Sequence, residues 1–212
     1  MRSLAENHTE GWHLFASMEP GCPEIVSIIN DNHFIGVSAT LNARRLGPDL
    51  NTFMAHWMAI EDGAEALVYF DDDMVLSPDA LDLCNWYIDH PEYHNTETHV
   101  GLCLCTEASD PTRPNSVSPN DTWRGLVGQG YCYMRPAWNA FVKRNWFKHE
   151  PHFGGDSYDW ALGHSAIDQK KIILRPRLSR TQHTGVTGFH GGRIFPEHIS
   201  CQSNTTFVLE NE

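Results

Sequence analysis

Positive charge is scarce in this chain: 15 Lys and Arg stand against 27 Asp and Glu, a formal net charge of −12 over 212 residues. A protein that tracks nucleic-acid phosphates needs a basic face to displace counterions, so this balance argues against that class and against a metal nuclease with a basic groove. Long apolar runs are missing too, and none approaches the roughly 18 residues of a membrane span. The first 20 residues hold Glu6, His8, Glu10 and His13 and no apolar signal-peptide core, so the expected compartment is the cytoplasm. The six cysteines include no C-x-x-C pair and fall short of disulfide-scaffold density, which fits buried thiols in a reducing compartment. Cys103 and Cys105 are two apart in an apolar run, and on a strand they would share a face. There is no internal repeat and no low-complexity stretch. N-x-S/T triplets at Asn7, Asn120 and Asn204 are short enough to arise by chance.

What is present is a hydrophobic fraction of 41% with 7 Trp and 10 Phe, enough for a sizeable core. Apolar runs alternate with helical patterns, which predicts an α/β domain, with a single domain over residues 1–212. Ser3 to Met18 reads as a helix, and the β-branched run from Glu24 to Ile29 as a buried strand ending on Asn30, Asp31 and Asn32. Leu50, Phe53, Met54, Trp57 and Met58 recur at helical spacing up to Gly63, and Ala66 to Phe70 is a second buried strand. A helix start at Ser77-Pro78-Asp79 follows, with Ser77 as N-cap, running to about His90. Further strands are expected at 100–105, 126–134 and 171–174, and helices opening at Pro136 and spanning 157–168. The polar, proline-bearing stretch from Glu107 to Asp121 reads as a long loop, a binding loop or lid beside Trp123 and Arg124. From Thr181 onward the chain reads as irregular wrapping.

The most informative stretch is FDDDMVLSPDAL, residues 70–81. Three adjacent carboxylates leaving a buried strand are costly unless a cation or hydrogen-bond donors offset them. In open α/β sheets ligands bind at the carboxyl ends of strands, where this cluster falls. Alternate residues of an extended segment face the same way, which lets Asp71 and Asp73 address one site. Hard oxygen ligands of this kind suit Mg²⁺ or Mn²⁺ bridging to substrate phosphates. The bland alternative is an acidic turn capping the next helix.

This arrangement of an apolar strand, a D-D-D run, a short apolar run and a "PD" helix start resembles nucleotide-sugar glycosyltransferases of the GT-A fold. The layout is similar to inverting family 2 enzymes and to the N-acetylglucosaminyltransferase I family. The resemblance implies a mostly parallel mixed sheet flanked by helices, a Mn²⁺ or Mg²⁺ cofactor and a nucleoside diphosphate sugar donor, a UDP-sugar first. By that match Asp73 holds the metal with Asp71 as a further ligand, Asp71 and Asp72 lie toward the donor, Asp31 meets the nucleoside, and Arg2 is a donor-binding arginine. Residues 154–185 are similar to the family's catalytic segment, whose acid precedes a helix, a strand, "RP" and "SRT". That places the general base on Asp159, with Asp156 second. His183, in Q-H-T-G, resembles the histidine that completes the metal shell, with His190 a lesser candidate. Arg175, Arg177 and Arg180 are available to neutralise phosphates.

Inverting transfer needs one carboxylate near the acceptor hydroxyl, able to take its proton as the new bond forms. The expected acceptor is a carbohydrate or another hydroxyl. GT-A domains begin with a strand before the first helix, and reading Ser3 to Met18 as a helix leaves that strand missing. Two other functions therefore stay open: a non-catalytic GT-A-like domain that binds carbohydrate or a partner, and a sugar-phosphate nucleotidyltransferase, although the latter's glycine-rich basic loop is absent.

Overall fold

The computed structural model describes residues 1–21, 23–106, 109–120, 130–148, 157–184 and 207–209. The N-terminal region departs from the sequence expectation. Leu4–Glu6 is a single 3-10 turn, and His13–Met18 is a strand, β1. The run predicted to be a strand is instead helix α1, Pro23–Asn30, leading to β2, Gly36–Leu41. Its start signals are Pro23 at the first helical position and Glu24 in the first turn, and they outweigh the β-branched composition. β1 and β2 pair in parallel from His13↔Gly36 to Met18↔Leu41, so a strand does stand ahead of the first long helix. The expectation of a missing first strand is corrected accordingly.

Helix α2, Pro48–Glu61, strand β3, Ala66–Tyr69, and the short strand β4, Met74–Leu76, lie where the periodicity placed a helix and a strand-to-carboxylate exit. α3 covers Ala80–Ile88; Asp79, not Ser77, is its N-cap residue, and the Ser77 hydroxyl donates to the Asp79 carboxylate. β5 is His99–Cys103 and β7 is Tyr131–Met134. Between them the supposed loop contains a strand, β6, Ser116–Asn120. After β7 the chain runs through α4 (Arg135–Ala137), a π turn (Trp138–Val142) and α5 (Lys143–Asn145). α6 (Tyr158–Asp168), β8 (Ile172–Pro176), β9 (Thr181–His183) and β10 (Val208–Leu209) complete the described elements.

Among the described residues six strands form one mixed sheet in the order β10-β6-β8-β5-β7-β3. Only β10–β6 and β8–β5 run parallel within it; β6–β8, β5–β7 and β7–β3 are antiparallel. The sheet is therefore not mostly parallel, because the strand hidden in the polar stretch and the returning β7 both enter it against their neighbours. Side chains alternate across it as a pleated strand requires. Tyr131 and Tyr133 enter a core with Trp138, Trp146, Tyr158 and Leu162, while Cys132 enters another with Leu83, Tyr87 and Leu174. Helices thus cover both faces. Cys103 and Cys105 do share a face, with sulfurs 3.4 Å apart. Gly101 permits the close approach of β5 and β7, since a Cβ there would sit 2.4 Å from the Cys132 carbonyl oxygen. Among the described residues no helix is long and apolar enough to cross a membrane.

Candidate functional site

β3 delivers Asp71, Asp72 and Asp73 at its carboxyl end. Asp71 is half-buried, and the Tyr69 hydroxyl two residues earlier donates to its Oδ1. The Tyr69 oxygen also lies 3.0 Å from Thr52 Oγ1 on α2. Burial pushes the Asp71 carboxyl up from 3.8 to about 7; the Tyr69 hydrogen bond opposes this, and the charges of Asp73, Asp72 and Asp159 add to it. The Asp159 charge acts on Asp71 although the two residues lie almost ninety positions apart in the chain. Asp72 is exposed and Asp73 half-buried.

The antiparallel pairing of β4 with β9 sets Met74 opposite His183. It brings His183 Nε2 to 2.9 Å from Asp73 Oδ2, while both the backbone N–H and the hydroxyl of Thr184 donate to the Asp73 carbonyl at 2.9 Å. The donor chemistry fits a hard or borderline cation: carboxylates from Asp73 and Asp71 with one imidazole suit Mn²⁺ or Mg²⁺. Among the described residues no group of three or more His, Cys, Asp or Glu side chains is placed to hold a metal ion together. One or two protein ligands, completed by water and substrate phosphate, is the usual arrangement for Mg²⁺.

Asp159 occupies the first turn of α6, and its Oδ1 accepts from the Ser157 hydroxyl and, at 2.9 Å, from the Trp160 N–H. Among the described residues Oδ2 takes no hydrogen bond. The helix is anchored from α2, because Asp49 Oδ1 accepts the Tyr158 N–H at 3.1 Å. Behind the carboxylates lies a buried aromatic layer. The Tyr158 ring stacks on Trp146 at 4.4 Å between centroids, and Tyr131 Oη is 3.1 Å from His56 Nε2. Burial drives the phenols of Tyr69, Tyr131 and Tyr158 well above their usual value and the His56 imidazole down to about 4, so this layer is neutral at ordinary pH.

The sequence reading missed a polar set at the carboxyl ends of β1 and β2. Ser17 Oγ donates to Asn51 Oδ1 at 2.7 Å, and Asn42 Nδ2 donates to the same oxygen at 2.8 Å. The Glu19 carboxylate accepts the N–H groups of Leu46 (3.0 Å) and Gly47 (2.8 Å). The first turns of α2 tie everything to one framework: Asp49 holds α6, Asn51 holds β1 and β2, and Thr52 holds Tyr69 under Asp71. The available signal was Pro48-Asp49 opening a helix with Asn51 and Thr52 in its first turns.

Other expected site residues lie elsewhere. Asp31 follows the end of helix α1, exposed, its Oδ2 accepting from Ser27 Oγ at 3.4 Å. α1 leads from the carboxyl end of β1 to the amino end of β2, so Asp31 lies at the wrong end of this strand pair for a ligand. Arg2 is exposed in the turn before Leu4 rather than in a helix preceding a strand. Arg180 is wholly buried: its Nε donates to Asp79 Oδ2 at 3.0 Å, and its other nitrogens donate to the carbonyls of Leu178 and Pro114 at 2.6 Å. Burial raises the Asp79 carboxyl and lowers the Arg180 guanidinium, so desolvation outweighs their attraction and the pair is a structural clamp. Arg175 is buried against the Cys105 carbonyl at 3.1 Å. Neither arginine is placed to meet phosphate. Asn7 is buried and bonded to the Ser77 carbonyl and the Leu81 N–H, which leaves it no room for a glycan. Asp156, His190, Trp123 and Arg124 lie outside the described residues. No protein-family model matches the chain, and no curated protein sequence does either.

Proposed function

We propose that the chain is a metal-dependent glycosyltransferase that moves a sugar from a nucleoside diphosphate donor, a UDP-sugar first, to an acceptor hydroxyl with inversion. The observation that carries this reading is the contact of His183 with Asp73 at the end of β3, next to Asp71, whose carboxyl feels the charges of Asp72, Asp73 and Asp159. Sequence distance alone would not predict it. Strand β1 supports it as well, since the open question of an absent first strand falls away.

In this reading Asp73 and His183 hold the cation, with Asp71 alongside, and Mn²⁺ or Mg²⁺ when bound offsets charge on the departing diphosphate. Asp159 takes the acceptor proton on Oδ2, while Ser157 and the Trp160 N–H hold the carboxylate by its other oxygen. The nucleoside is assigned to the polar rim of Ser17, Asn42 and Asn51 in place of Asp31, because that rim lies at strand carboxyl ends. Isothermal titration of UDP with and without Mn²⁺ tests the assignment. Asp73→Asn should abolish Mn²⁺-dependent binding while keeping the folded circular-dichroism spectrum, and unchanged binding in Asp73→Asn would reject it.

A further inference from the structure

Among the described residues β1 pairs only with β2, and β3 forms one edge of the six-stranded sheet, so each has a side with no described strand beside it. Both of those sides border a single cleft of about 570 Å³, walled by Trp12 to Phe15 on one flank and Ala66 to Tyr69 on the other. Ala55 and Ala59 of α2 close one face, and Asn85 and Ile88 of α3 close the other. The cleft therefore has the geometry of one vacant strand position between two helix layers.

Its size agrees with that description. A strand residue advances about 3.3 Å, strands lie about 4.8 Å apart and layers about 10 Å apart, so each residue fills about 160 Å³. The cleft volume then corresponds to about three or four residues, matching the four residues of β3. Its flanks contribute apolar Leu14, Leu67 and Val68; its carboxylates are Glu10, Asp62 and Glu65, its imidazoles are His13 and the buried, neutral His56, and no Lys or Arg is among its lining residues. Arg135, beside Gly63, is committed to the carbonyls of Ala64 and Ile60. Unpaired strand edges are templates for an added strand, whose main-chain hydrogen bonds supply affinity and whose flanks supply selectivity.

We propose that the slot between β1 and β3 receives an extended segment of a partner protein, about four apolar residues long and flanked by Lys or Arg. The apolar middle replaces solvent between the helices, and the basic flanks meet Glu10, Asp62 and Glu65. This interaction is independent of the transferase reading.

The test uses fluorescein-labelled peptides KKVIVIKK, EEVIVIEE and KKPGPGKK with the full chain, read by fluorescence anisotropy and backbone hydrogen exchange. Saturable binding of KKVIVIKK is expected, with new protection at residues 12–15 and 66–69, and weaker binding as salt rises. EEVIVIEE and KKPGPGKK should bind at least about tenfold more weakly. Asp62→Lys with Glu65→Lys should reduce affinity for KKVIVIKK about tenfold while leaving the melting temperature in place. Asp62 ends α2, where a cation is favourable and an acid is not. Equal affinity for the three peptides, or binding without edge protection, would overturn the proposal. Edge protection in the free protein would also overturn it, because β1 would then close directly on β3.

Discussion

Replacing Asp71 with Asn isolates the electrostatic penalty at the centre of the site. The Asp71 carboxyl rises from 3.8 to about 7, chiefly through burial, which the Tyr69 hydrogen bond opposes and the charges of Asp73, Asp72 and Asp159 reinforce. A carboxyl whose folded value exceeds its unfolded one favours folding while protonated; that advantage is complete below the unfolded value and is lost as pH rises toward the folded one. The window here runs from about pH 4 to about pH 7. At about 1.36 kcal/mol per pH unit, the charged form costs about 1 kcal/mol near pH 4.5 and about 4 kcal/mol near pH 8. Asn is uncharged and keeps an oxygen for the Tyr69 hydroxyl. Urea denaturation of both proteins in EDTA should find Asp71→Asn more stable by those amounts, with the gap widening as pH rises. Added Mn²⁺ should narrow the gap near pH 8 by stabilising the wild type. Equal stability near pH 8, or a gap independent of pH, would refute the picture of a buried, repelled carboxylate.

Asp159→Asn should lower sugar transfer by about 10²–10⁴-fold while donor binding and melting temperature stay nearly unchanged, which single-turnover assays and calorimetry check together. Arg180→Ala strands Asp79 in the interior and should cost about 3–5 kcal/mol in urea denaturation, whereas a phosphate-binding arginine would lose nucleotide affinity instead. Gly101→Ala drives a methyl group against the Cys132 carbonyl and should destabilise by about 1–3 kcal/mol, read as a lower denaturation midpoint at unchanged slope.

The middle of the fold was legible because its signals agree. At residues 48–61 a proline start, helical spacing and a closing glycine coincide, and at 66–69 an apolar run ends abruptly in carboxylates. The N-terminal region was not, because composition and boundary signals conflict there. Ile25, Val26, Ile28 and Ile29 favour a strand by residue type, yet Pro23 and Glu24 begin a helix, and that error displaced Asp31 to a strand end it does not occupy. His13 to Met18 has no decisive local preference and becomes a strand through its pairing with β2. β6 was hidden because Ser116-Val117-Ser118-Pro119-Asn120 reads as loop, and only its neighbours β8 and β10 make it a strand. In the site, Asp73 and Asp159 were readable as carboxylates near element ends. Thr52, Tyr69 and the Ser17–Asn42–Asn51 set were not, since their roles depend on where α2 lies against three different strands.

Calorimetry of the purified chain with UDP-, GDP- and dTDP-sugars, with and without Mn²⁺, bears most directly on the central claim. The account predicts that one nucleotide sugar binds in the presence of Mn²⁺ and that EDTA removes the heat of binding. Binding of a nucleotide sugar that EDTA leaves unchanged would contradict the metal assignment to Asp73 and His183, and no binding by any donor under either condition would contradict the transferase reading itself.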